Sequence, residues 1–69
     1  MITNYSVNGM TCEHCVHAVT EEVSAIAGVD EVKVSLDDKA MAVTSAAAID
    51  FDAIKAAVEE AGEYVVAQA

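Results

Sequence analysis

Both cysteines of the chain fall in one short run, Gly9-Met10-Thr11-Cys12-Glu13-His14-Cys15. Two thiols separated by two residues can close on one soft metal ion or on each other. The chemistry on offer is therefore metal ligation or dithiol redox exchange. The apolar spacing that follows predicts a helix from about Glu13, which puts Cys12 in a loop and Cys15 in the first helical turn. Unpaired backbone N–H groups and the positive dipole end at such a position favour thiolate over thiol. Thr11, Glu13 and His14 are polar, so the pair does not read as two small core residues. A disulfide closing so tight a ring would add little stability.

The alternatives separate on ligand number and chain type. A thioredoxin-like redox centre also starts a helix with C-x-x-C, but it needs a longer chain and a cis-proline against the cysteines, and this sequence has no proline. A structural zinc site wants four protein ligands. Cys12, Cys15, His14 and His17 are four candidate groups, but from a single helical turn they cannot easily surround one ion. Two thiolates and little else suit an ion content with low coordination. Soft sulfur selects Cu(I), with Zn(II) and other thiophilic ions as competitors, and Cu(I) is satisfied by two or three donors.

The elements that must carry this loop can be read from periodicity. Thr3, Tyr5 and Val7 alternate with more polar neighbours over Ile2 to Asn8, a strand pattern ended by Gly9. Val16, Val19, Val23 and Ile26 draw one apolar stripe on a helix expected from Glu13 to about Ala27, with Gly28 as its stop. Val32, Val34 and Leu36, then Met41 and Val43, read as two strands joined by a turn at Asp37-Asp38-Lys39. Phe51, Ile54, Val58 and Ala61 repeat the helical stripe, with Asp50 as N-cap and Gly62 as stop. Tyr64, Val65 and Val66 read as a closing strand. The order βαββαβ implies an α+β, ferredoxin-like sandwich: a four-stranded antiparallel sheet with two helices on one face.

Size and charge narrow the function classes. The 69 residues suit one domain over 1–69 with a modest core, since aromatics are few and Ala and Val dominate. Such a domain has little room for a deep substrate cavity, so a binding protein rather than an enzyme is expected. Twelve Asp and Glu stand against three lysines and no arginine, a net charge of −9. That balance repels nucleic acid and anionic membrane surfaces and favours a basic protein partner. No apolar run reaches the roughly 20 residues of a membrane span. No basic-then-apolar N-terminal segment suggests a signal peptide, so a cytoplasmic location is expected.

The run Gly9-Met10-Thr11-Cys12-Glu13-His14-Cys15 resembles the G-M-T-C-x-x-C signature of heavy-metal-associated domains, and the resemblance extends through the element order to the closing Gly-x-Tyr-x-Val stretch. It is greatest to the free-standing bacterial copper chaperones, carriers of Cu(I) to a P-type copper-exporting ATPase. The same domain also occurs as an N-terminal repeat on such ATPases, and relatives handle mercury, zinc or cadmium. The resemblance implies that Cys12 and Cys15 bind the metal. It implies a core role for Met10 beneath the loop and a solvent-facing His14 near the metal that could serve as an auxiliary ligand in an oligomer; by position, Thr11 offers a hydroxyl cap to the loop or the helix start. A monomer is expected without metal, and a copper-bridged homodimer through shared thiolates with it. Family members carry a tyrosine near the metal directly after glycine. Here Glu63 intervenes between Gly62 and Tyr64, and a one-residue shift could turn the Tyr64 ring to the other face.

Overall fold

The computed structural model describes residues 1–68. Six elements follow one another: β1 (Ile2–Asn8), α1 (Glu13–Ser24), β2 (Val29–Ser35), β3 (Ala40–Ser45), α2 (Phe51–Ala61) and β4 (Val65–Gln68). The strands form one antiparallel sheet in the order β2-β3-β1-β4. This is the ferredoxin-like βαββαβ architecture that the periodicities imply.

Strand alternation decides which face is covered. Tyr5 and Val7 of β1, Met41 and Val43 of β3 and Val66 of β4 are buried, and they meet Val19 and Val23 of α1 and Ile54 and Val58 of α2 in one core. Their neighbours Asn4, Asn8, Val65 and Ala67 point to the open face and are exposed, as a period of two requires. The core is built of small aliphatic chains, so its one sizeable aromatic contact, the stacking of Tyr5 on Phe51 at 6.2 Å, closes the side where α2 begins. Asp50 caps that helix by accepting from the Asp52 N–H at 3.1 Å, which satisfies one of its unpaired donors.

Three boundaries depart from the sequence pattern. Helix α1 ends at Ser24, not Ala27, with Ala25 as its C-cap. Twelve residues at about 1.5 Å each already span about 18 Å, close to the length of the strands beneath. The chain turns there through bonds from Ile26 N–H to Val23 and from Val29 N–H to Ile26. Ile26 thus packs on the core from a turn, and Gly28 (φ 94°) serves this turn and not the helix end. Strand β2 begins at Val29, earlier than Val32, because a bulge between Val29 and Glu31 absorbs the odd spacing of the two valines. Strand β4 begins at Val65, leaving Tyr64 in the preceding connection.

Strand direction gathers three connections at one end of the sheet. Asn8 pairs with Val65, and the Val7 N–H donates to the Lys39 carbonyl at 2.8 Å. The loop after β1, the β2–β3 turn and the α2–β4 turn therefore lie together. The two cysteines are at this end.

Candidate metal centre

The loop from Gly9 to Cys12 is fixed from both sides. Gly9 has φ 106°, a conformation that side-chain-bearing residues avoid, and it redirects the chain from β1 across the end of the sheet. Met10 then turns inward and is buried among the core residues, which places its thioether in packing, as the resemblance implies. Cys12 occupies the N-cap of α1 in extended conformation (φ −159°, ψ 173°) with no side-chain capping bond. Its carbonyl accepts from the N–H groups of Cys15 at 3.0 Å and Val16 at 3.4 Å.

The Thr11 hydroxyl does not cap the start of the helix. The helix starts at Glu13, so the N-cap position falls on Cys12, one residue later than Thr11 can serve. The Thr11 hydroxyl lies instead 3.9 Å from the Cys15 Sγ. A helix start left without an oxygen cap keeps its N–H groups and positive dipole end available to the sulfurs.

The two Sγ atoms are 3.8 Å apart, Cys12 exposed and Cys15 half-buried, and both are free thiols. Cys15 is made more acidic, its pKa lowered to about 6 from an ordinary 9.0. The Thr11 backbone is the largest cause and the Tyr64 hydroxyl the next; burial opposes them, and Cys12 adds to them through its backbone and side chain. Tyr64 responds in the opposite direction. Its pKa is raised, first by the same contact with Cys15, then by burial and by the charges of Cys15 and Cys12. A phenol that keeps its proton beside a sulfur that has lost its own is a donor–acceptor pair.

The sequence candidates are thus divided by the fold. Cys12, Cys15, Thr11 and Tyr64 come together; Met10 lies beneath them; His14 and His17 are exposed on α1. Among the described residues no group of three or more His, Cys, Asp or Glu side chains is gathered to hold an ion. The centre offers two sulfur donors, which suits a soft ion of low coordination better than a four-ligand zinc site. Sequence reasoning does not find the Thr11 backbone contribution or the packing of Tyr64 on two glycines, since neither leaves a mark in residue type or period. Among the described residues no helix is long and apolar enough to cross a membrane.

The chain is thus a ferredoxin-like sheet with one cysteine at the N-cap of its first helix and the other in that helix's first turn. The sequence profile of the heavy-metal-associated domain matches residues 4–63, and the chain belongs to that family. It is 40% identical over 63 residues to the copper chaperone CopZ of Enterococcus hirae, covering 90% of this chain and 91% of that protein. It is 39% identical over 61 residues to a probable copper-exporting P-type ATPase of Archaeoglobus fulgidus, covering 87% of this chain and 8% of the ATPase. Among solved structures, a CopZ metallochaperone superposes with a TM-score of 0.86 at 28% identity, over 97% of this chain and all of that one.

Proposed function

We propose that this protein is a cytoplasmic Cu(I) carrier: it holds the ion between Cys12 and Cys15 and delivers it to a P-type copper-exporting ATPase by thiolate exchange. The observation that carries the reading is the pair of sulfurs 3.8 Å apart where the loop after β1 enters α1, with no third ligand group gathered beside them among the described residues. With thiolate–metal bonds of about 2.3 Å, that separation subtends about 111° at a shared ion. The open side of such an angle admits a third sulfur from a partner. Cys12, the more exposed of the two, releases first as the incoming thiolate attacks, and Cys15 lets go last. A third sulfur from a second copy would give the copper-bridged dimer of an otherwise monomeric protein.

The surface supports a basic partner. Glu13 at the start of α1, Asp37 and Asp38 on the β2–β3 turn and Glu63 on the α2–β4 turn are exposed around the thiols, against Lys39 as their local counter-charge. Such a field speeds encounter with a basic docking face. Similarity to a segment of a copper-exporting ATPase favours a second reading, the metal-binding domain of such a transporter, in which the same two thiolates receive the ion.

Titration of the reduced protein with Cu(I) and with Zn(II), each against a calibrated chelator, tests the metal. Cu(I) binding that far exceeds Zn(II) binding and disappears in the Cys12→Ser, Cys15→Ser variant is expected. Equal or preferred Zn(II) binding moves the protein to zinc handling, and no binding of either ion returns the dithiol to redox exchange. Transfer of bound Cu(I) to an isolated ATPase metal-binding domain then tests delivery.

A further inference from the structure

The connection from α2 to β4 contains a one-residue turn. The Tyr64 N–H donates to the Gly62 carbonyl at 3.0 Å, so the chain reverses about Glu63 and the Tyr64 ring folds back against Gly62. A Cβ on Gly62 would stand 2.8 Å from Cε2 of that ring, 3.0 Å from Cζ and 3.1 Å from the hydroxyl oxygen. Carbon atoms pack at about 3.5–4.0 Å, so the ring occupies the space a side chain would need. The backbone gives no other reason for glycine. Gly62 is extended (φ 161°, ψ −168°), and its N–H bond to the Val58 carbonyl is available to any residue but proline. The ring has a second glycine against it: a Cβ on Gly9 would lie 3.3 Å from its Cδ1. Tyr64 is therefore seated between two residues without side chains, one leaving β1 and the other leaving α2, at the end of the sheet that carries the cysteines.

We propose that Gly62 is a positioning residue for the thiol site: the space it leaves lets the Tyr64 ring seat against Gly62 and Gly9, beside the loop that carries the cysteines. This rests on Cys12 and Cys15 being the metal site. The turn at Glu63 also explains how a chain with an extra residue after glycine still presents its tyrosine to the cysteines. The group that a methyl at position 62 meets is the free end of a side chain, not backbone. The fold yields to Gly62→Ala by swinging the ring outward, and the effect appears at the site.

The test is the rate at which a high-affinity chelator extracts Cu(I) from the loaded protein, in Gly62→Ala, Tyr64→Ala and the double variant. Gly62→Ala should speed extraction about three- to tenfold, the scale of one weak hydrogen bond. It should match Tyr64→Ala and add nothing in the double variant. A rate within about twofold of the parent, or an acceleration that persists without Tyr64, would overturn the proposal. Proton NMR of the metal-free proteins gives an independent readout: ring contacts to the Gly9 and Gly62 α-protons should vanish in Gly62→Ala, and their retention would also overturn it. Because this arm needs no metal, a protein that binds no Cu(I) would sink the carrier reading while the spectra still decide the seating of the ring. If Gly62→Ala does not fold, removing the ring in the double variant should restore folding, and an unfolded double variant would count against the idea.

Discussion

Cys15 should be largely ionised at neutral pH before any metal arrives. A pKa of about 6 leaves about 90% thiolate at pH 7, whereas an ordinary thiol at 9.0 leaves about 1%. Absorbance near 240 nm during a pH titration of the reduced, metal-free Cys12→Ser variant reads this group once the same titration of the Cys12→Ser, Cys15→Ser variant, which retains both tyrosines, is subtracted. Two results are expected. The midpoint lies well below that of a free thiol, and Tyr64→Phe raises it part of the way, because the larger contribution of the Thr11 backbone remains. The same shift sets a stability trend. The group is more acidic folded than unfolded, so it contributes stability that is fully present above pH 9.0 and fades as pH falls through about 6. The urea midpoint of the metal-free parent should therefore rise between pH 6 and 9 relative to that of Cys15→Ser. A midpoint near 9, or no response to Tyr64→Phe, would refute the reasoning from loop geometry to thiolate.

Two further outcomes follow from packing and charge. Ile54 is wholly buried between α2 and the sheet, and Ile54→Ala should cost about 2–5 kcal/mol in urea denaturation, a large share of the roughly 3–10 kcal/mol expected for a chain this long; a cost below about 1 kcal/mol would mean the core is not closed there. Raising the salt concentration toward 1 M should slow copper transfer to a basic partner domain, since the Debye length shrinks to about 3 Å, and a salt-independent rate would remove electrostatic steering from the mechanism.

The parts of this fold that can be read from sequence are those whose signals are local. Ile54 and Val58 lie on one helical stripe and Asp50 supplies an oxygen at the right place, so α2 is legible from Phe51 to Ala61. Helix α1 is not legible at its end, because Ile26 continues the apolar stripe while packing from a turn, and periodicity cannot tell the two apart. The spacing of Val29 and Val32 breaks the alternation of two, and only pairing with β3 shows that a bulge repairs it. At the site, Cys12 and Cys15 are evident from type and spacing. The direction of the Tyr64 ring depends on an i to i+2 turn and on the emptiness of two glycines distant in sequence. That information exists only when Gly9 and Gly62 are brought together.

The polarity of the two neighbouring strands β1 and β4 has a consequence for how such a unit can be strung together. Strand β1 enters from the end of the sheet where Ile2 meets Thr44, remote from the thiols, and β4 departs from Val65 beside Asn8 toward Gln68 opposite Tyr5. Chain that precedes β1 or follows β4 is therefore directed away from the sulfur-bearing tip. The unit is a bead that can be threaded without blocking its working end. The same fold thus serves as a small protein in one relative and occupies 8% of a long transporter chain in another.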